Sequence, residues 1–342
     1  MHNKKIISSF KSLKKIISES KKIILTTHLI PDGDAIGSEF AMYNYLLKKG
    51  KKVSIINHSY TPDSYQWQDK KGIIKVFREN PDKYTKLINN ADLIIILDTN
   101  EYSRTKSMEA VLKNSPAKKA VIDHHLGTQF DLFDVVVNDT NYPATGELLY
   151  DYFSFDNKKF INKFIAVNLY VGILTDTGSF RYPRTTQKTF LICADLISRG
   201  ADPVYIYDMV YGQLNTGKIK LLGRFINSLT YHLKGKLILG IVTMQDFKDY
   251  HSDVQDVDGF SSFIMSVKNI KAGIVIVERN DGIKLSFRSK GNINMRSFAA
   301  EFGGGGHKNA SGASLPPQDP YELKENIINK FKVFLSKQKI NI

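Results

Sequence analysis

Eight residues able to bind cations or move protons fall into four short groups. His28, Asp32 and Asp34 lie in HLIPDGDAIGS, Asp98 in LIIILDTN and Asp176 in LTDTGSFRYP, while Asp123, His124 and His125 are consecutive. Asp32, Asp34, Asp98 and Asp176 gathered in one place would repel one another and raise their own pKa values. Two divalent ions neutralise four carboxylates, and imidazoles from His28 and His124 complete mixed nitrogen–oxygen shells of the kind that suits Mn²⁺. Taken singly, each aspartate reads as a cap or turn residue. Their joint recurrence at the ends of apolar segments does not.

Those segments must position the donors. Residues 23–27 form a short apolar run that leads into His28, 93–97 ends at Asp98, and 120–122 ends at Asp123. Residues 34–47 have helical periodicity and close on Lys-Lys-Gly50, 146–153 and 162–175 read as helices, and Asp176 ends the second of these. Short buried strands alternating with helices predict an α/β lobe with a parallel sheet and helices on both faces. Ligands of such sheets bind outside the carboxyl ends of the strands, where these acids fall. Beyond a mostly helical stretch at 187–230 the texture changes. Strand-like runs at 236–242, 272–278 and 283–288, with Asn280-Asp281-Gly282 as a turn, predict a smaller α+β lobe.

The length of 342 residues suits two domains. We expect domains at 1–186 and 231–342 with 187–230 as linker, and an active site in the cleft between the lobes. Hydrophobic residues at 42% and charged residues at 24% exclude a disordered chain. No apolar run approaches a bilayer span, the N-terminus lacks a signal-peptide core, and Cys193 is the only cysteine, so the expected setting is cytoplasmic, without membrane attachment. The net charge is +14, and nine of those charges lie in residues 1–22 and 321–342. They read as solvated helix faces or as a field for polyanions.

The spacing His28-x-x-x-Asp32-x-Asp34, the isolated Asp98, the triplet Asp123-His124-His125 and Asp176 resemble the four motifs of the DHH phosphoesterase superfamily. GGGGHKNASG at 303–312 resembles the signature of its DHH-associated C-terminal domain. The likeness covers nearly the whole chain. It implies two metal ions, Mn²⁺ being expected, with His28 and Asp32 on the first, Asp34, His124 and Asp176 on the second, and Asp98 bridging. It leaves His125 to hydrogen-bond phosphate or act as general acid, and Asp123 to orient a histidine. Gly303, Gly304, Gly305, Gly306 and His307 would form a phosphate-gripping loop, and Arg288 would bind the same group. Arg181 and Arg184 follow Asp176 without an implied role.

Within the superfamily, length and domain pairing are similar to the branch that degrades very short RNA and dephosphorylates 3′-phosphoadenosine-5′-phosphate (pAp). The expected partners are short RNA oligonucleotides and adenine nucleotides, with a homodimer left open. Cleavage of cyclic di-adenylate or its linear product pApA is the enzymatic alternative. A non-catalytic RNA-binding protein is the alternative of a different class, and a complete set of donors argues against it. Asn309 and Ser311 depart from the small residues frequent in the family's loop.

Overall fold

Leu93–Leu97 is five aliphatic residues without a polar break, and it forms a strand buried along its whole length. A strand buried on both faces needs a layer of helix on each side, and the first half of the chain supplies them. The structure is a computed structural model that describes residues 4–127, 130–338 and 340. The elements of the first half run α1 (Lys4–Glu19), β1 (Lys22–Thr26), α2 (Gly33–Lys48), β2 (Lys52–Asn57), β3 (Ile74–Val76), α3 (Pro81–Asn89), β4 (Leu93–Leu97), α4 (Glu109–Asn114), β5 (Lys118–Asp123), β6 (Val135–Asn138), α5 (Thr145–Asn157), α6 (Lys163–Asp176), α7 (Gln187–Ser198) and α8 (Pro203–Tyr211).

All neighbouring strands are parallel and their order is β3-β2-β1-β4-β5-β6. The chain builds outward from β1 to β3, then returns to the other side of β1 and builds outward again. The reversal falls between β1 and β4, where the flanking loops part and leave a crevice at the carboxyl edge. Along β4 the side chains alternate between layers. Leu93, Ile95 and Leu97 pack with Phe10, Phe40, Leu149 and Ile165. Ile94 and Ile96 pack with Tyr84, Ile88 and Leu112. Thus α1, α2, α5 and α6 cover one face, and α3 and α4 the other. β3 and β6 have three and four residues, too few for a pattern to announce them.

The helices α2 and α6 lie unusually close. A Cβ on Gly37 would stand 2.4 Å from the Asn168 carbonyl oxygen, and one on Gly172 would stand 2.5 Å from Oδ1 of Asp34. Gly33 faces Thr175 in the same way. These contacts run antiparallel, so the first turn of α2, with Asp34, lies beside the last turn of α6, with Asp176.

A second compact unit begins at Leu214, the first ending at Gln213. The expected linker therefore divides, α7 and α8 belonging to the first unit. The second unit contains α9 (Thr216–Asn227), β7 (Thr230–His232), β8 (Leu237–Val242), α10 (Met244–Asp249), α11 (Phe260–Ile264), β9 (Ala272–Arg279), β10 (Gly282–Ser289), α12 (Met295–Ala300), β11 (Gly305–His307), β12 (Ala310–Leu315) and α13 (Pro320–Lys337). Its sheet has the order β11-β12-β10-β9-β8-β7 and is antiparallel except for β8 with β9. Asn280-Asp281 closes the β9–β10 hairpin, in which Arg279 pairs with Gly282. α12 and α13 cover one face, and α9, α10 and α11 the other. Among the described residues no helix is long and apolar enough to cross a membrane.

The close helix pair makes a measurable demand. Gly37→Ala forces backbone apart and should cost about 1–3 kcal/mol. Gly223, exposed in α9 with nothing within 4 Å of an added Cβ, is the control. Gly223→Ala should be neutral or stabilise by about 0.5–1 kcal/mol, because alanine narrows the unfolded ensemble. Equal urea denaturation midpoints for wild type and Gly37→Ala would contradict this packing.

Candidate metal centre

Asp98 follows β4 with its backbone in the left-handed region, φ +58°. Aspartate tolerates that conformation better than most residues. Its amide donates to the Ile122 carbonyl at 3.0 Å, which ties it to β5. Its carboxylate lies between two histidines: Oδ2 is 3.5 Å from His28 Nε2 and Oδ1 is 3.5 Å from His124 Nε2. His28 comes from the end of β1 and His124 from the end of β5, the two strands that flank β4.

Both rings are turned the same way for the same reason. His28 Nδ1 is 2.9 Å from the Leu29 carbonyl, and His124 Nδ1 is 3.1 Å from the Tyr142 carbonyl. A carbonyl only accepts, so each Nδ1 carries the proton and each Nε2 faces the carboxylates. This is the usual second layer of a histidine metal ligand. Asp32 caps α2, its Oδ1 accepting from the amides of Asp34 and Ala35.

Asp34 is completely buried, and another helix holds it. The residue before α5 is Ala144, which offers no side-chain cap. Asp34 takes that role from α2: the Thr145 amide donates to Oδ2 at 2.6 Å and the Gly146 amide to Oδ1 at 2.8 Å. The positive end of α5 therefore faces this carboxylate. The Thr145 hydroxyl donates to Asp98 Oδ1 at 2.9 Å, so one helix start serves two of the acids. Sequence reasoning missed Thr145 and Gly146. The available signal was an apolar helix opening on Ala-Thr-Gly with no capping side chain.

Three sets of donors can each offer atoms within 4.8 Å of one another: His28, Asp32 and Asp98; Asp34, His124 and Asp176; and Asp98, His124 and His125. His124 Nε2 is 3.1 Å from Asp176 Oδ2 and 3.9 Å from Asp34 Oδ2. Every acid and histidine singled out in the first unit is thus brought to one edge of the sheet. Asp123 lies one layer back. It is fully buried and accepts from His125 Nδ1 at 2.8 Å and from Asn100 Nδ2 at 2.7 Å. Burial alone would raise its pKa, but the His125 hydrogen bond and charge prevail and lower it.

The electrostatics fit a cation. Burial pushes Asp34 up to about 7, with the Asp176 charge adding to it. Asp98 is raised well above the usual range by burial, then by Asp34, Asp32 and Asp176. Burial lowers His28, with Arg104 contributing, so its imidazole is neutral and ready to donate a lone pair. Burial opposes charge on His124 too, yet the hydrogen bond to Asp176 and the Asp34 charge raise it to about 9. Crowded carboxylates must take up protons or cations, and these nitrogen and oxygen donors suit Mn²⁺ or a similar ion.

In the second unit the predicted substrate residues form a different grouping. Arg288 on β10 and His307 on β11 both pair with Ala310 of the strand between them. Directly paired residues share a face, so the two side chains stand on one side of the sheet, about 10 Å apart by strand spacing. The glycine run is not loop throughout, since Gly305 and Gly306 join His307 in edge strand β11. Gly303 has φ +70° and Gly306 φ +131°, and a Cβ on Gly304 would stand 2.2 Å from the Gly312 carbonyl oxygen. Asn309, one of the two departures from the family pattern, has a structural use: its amide donates to Ser289 Oγ at 2.8 Å and to the Gly291 carbonyl at 3.2 Å.

A pH dependence follows from the raised groups. The folded, metal-free protein keeps a proton on Asp34 that the unfolded chain loses above an ordinary value of 3.8, so that stabilisation disappears as pH rises through about 7. His124 contributes below its ordinary 6.5 and loses its contribution as pH rises through about 9. His28, lowered by burial, acts in the opposite sense below its ordinary 6.5, so the thermal midpoint in EDTA should fall from about pH 6.5 to pH 9. Cations must displace the same protons, so Mn²⁺ affinity should rise over that range, by up to about tenfold per pH unit for each proton displaced. Calorimetric titration with Mn²⁺ at pH 6.5, 7.5 and 9 checks this, and a flat affinity would contradict it.

Comparison with known proteins agrees with this geometry. Residues 22–173 match the model of the DHH family, N-terminal domain, and residues 240–337 match the DHHA1 domain. The bifunctional oligoribonuclease and PAP phosphatase NrnA of Thermus thermophilus is 29% identical, over 92% of this chain and 90% of that protein. The crystal structure of an exopolyphosphatase-related protein from Bacteroides fragilis superposes with a TM-score of 0.91 at 29% identity, covering 96% of this chain and 98% of the other. The exonuclease RecJ bound to manganese shares the fold, with a TM-score of 0.54 at 13% identity over 98% of this chain and 95% of its own. The two family models together match well over half of the sequence, one in each unit, and the chain belongs to the DHH family.

Proposed function

We propose that this chain is a metal-dependent phosphoesterase that hydrolyses short RNA oligonucleotides to mononucleotides and removes the 3′-phosphate of pAp. The observation that carries this reading is the position of Asp98, one buried carboxylate within reach of donors on both sides. His28 and Asp32 with Asp98 suit one divalent ion, and Asp34, His124 and Asp176 with Asp98 a second. Manganese is the ion we favour for this donor set. Bound there, divalent cations supply positive charge for the attacking and leaving oxygens of a phosphoryl displacement and make water nucleophilic at neutral pH. The similarity to a bifunctional oligoribonuclease and PAP phosphatase over nearly the whole chain supports the choice of substrates.

The protein's own groups do the remaining work. His125 donates its Nδ1 proton to Asp123, which fixes the ring and leaves Nε2 to protonate a leaving oxygen or to hydrogen-bond the phosphate. Asp123, held ionised and anchored by Asn100, keeps that ring in one orientation. A protein nucleophile is not required, and Cys193 is unsuited to be one, since burial pushes its thiol up to about 12. In the second unit, Arg288, His307 and the amides of Gly303–Gly306 are our proposed ligands for a nucleotide phosphate. Cyclic di-adenylate and pApA would compete for the same groups.

The test is a comparison of initial rates with Mn²⁺ on an RNA length series, pAp, pApA and cyclic di-adenylate, for wild type and Asp98→Asn. Two- to five-nucleotide RNA and pAp should be consumed fastest, and Asp98→Asn should lose about 10²-fold or more. Preference for cyclic di-adenylate would move the protein to cyclic-dinucleotide turnover. RNA binding without hydrolysis of any substrate would reduce it to a binding module. His125→Ala should lower kcat by about 10²–10⁴-fold while Mn²⁺ affinity stays within a few-fold of wild type. An equal loss in both would make His125 a ligand instead.

A further inference from the structure

The carbonyl that orients His124 belongs to Tyr142, and Tyr142 is itself held on several sides. It is buried, and its hydroxyl donates to Asp151 Oδ2 at 2.6 Å. Lys188, in the first turn of α7, reaches the same carboxylate oxygen at 2.5 Å and Glu147 Oε1 at 3.3 Å. Its ammonium also stands 4.0 Å from the centre of the Tyr142 ring, a cation–π contact. Arg184 reaches back from the segment after Asp176 to the carbonyls of Thr140, at 3.3 Å, and Tyr142, at 3.5 Å. Glu147 and Asp151 sit on α5, whose first turn holds Asp34 and Asp98.

These contacts link groups that sequence places far apart. The chain that leaves Asp176 returns through Arg184 and Lys188 to grip the residue behind His124. Glu147 and Asp151 are buried while the Lys188 side chain stays 42% exposed, so the cost of withdrawing charge from water falls on the two carboxylates, and the lysine answers both of them from the rim. It also restricts where the Tyr142 backbone can lie, and the Tyr142 carbonyl restricts the His124 ring.

We propose that Lys188, Asp151 and Tyr142 are positioning residues that hold His124 in its metal-binding orientation. The inference rests on the metal reading of the cluster. The route from these residues to the metal centre runs through the Tyr142 carbonyl and His124, and α7 is thereby tied to the centre although it contributes no ligand.

The experiment measures Mn²⁺ affinity directly, from the electron paramagnetic resonance signal of free Mn²⁺, on the full chain. Lys188→Met leaves two buried carboxylates without their cation and risks misfolding, so Tyr142→Phe is the primary variant. It should weaken Mn²⁺ binding about 10–100-fold, as loss of an outer-layer partner does. Lys188→Arg should restore most of the affinity lost in Lys188→Met. In a His124→Ala background, adding Tyr142→Phe should cost no further affinity, because the group it positions is gone. Wild-type affinity in Tyr142→Phe would overturn the proposal, and so would a full additional loss in the His124→Ala background, which marks general structural damage. A wild-type protein that binds no Mn²⁺ would overturn the metal reading itself, a failure visible without any variant.

Discussion

Like charge in a buried place is the constraint on which the first unit depends. Asp34 and Asp98 are withdrawn from water, and Asp32 and Asp176 stand close enough to raise their pKa values further. Left unanswered, such crowding would unfold the edge of the sheet. The fold answers with fixed partial charges: two amides at the start of α5 for Asp34, a hydroxyl from the same turn for Asp98, and imidazole nitrogens from the strands on either side. The amides and the hydroxyl hold the carboxylates in place without neutralising them, while a charged His124 and a proton on Asp34 offset only part of the crowding. What remains is a strong preference for a cation, and it arises from geometry rather than from any one residue.

Holding Asp34 at the start of one helix while it belongs to another requires three helices to meet at their ends. That meeting is possible because α2 and α6 approach to backbone contact at Gly37 and Gly172. Side chains larger than hydrogen at either position would push Asp34 away from Asp176. The glycines that look incidental in the sequence therefore set the spacing of the acids. The reversal of the sheet between β1 and β4 does the complementary task for His28 and Asp98, because adjacent strands end side by side there.

Much of this was legible beforehand. Apolar runs of strand length ending in Asp or His implied a parallel sheet with its chemistry at one edge, and the donors meet at that edge. The pattern failed for β3 and β6, which are too short to carry a periodicity. It failed for β11 as well, since glycine has no strand preference and only pairing with β12 makes Gly305 and Gly306 extended. Asn309 looked in the sequence like a departure from the small residues of the family's loop. In the fold it ties the chain after β10 to the turn before β12, a use that needs residues 18 and 20 positions apart in sequence.

The sequence by itself determined the donor types, the strands that end in them and the two-part division of the chain, because these depend on local composition and periodicity. Only the tertiary structure decided that Asp98 stands between two histidines, that Asp34 caps α5 from 111 residues away, and that Tyr142 turns the ring of His124. Those outcomes depend on strand order and on how closely helices approach, and both are properties of side chains packing across the sheet. A linear pattern records which residues are available. Which of them share a lone pair or a proton is settled when the layers close around them.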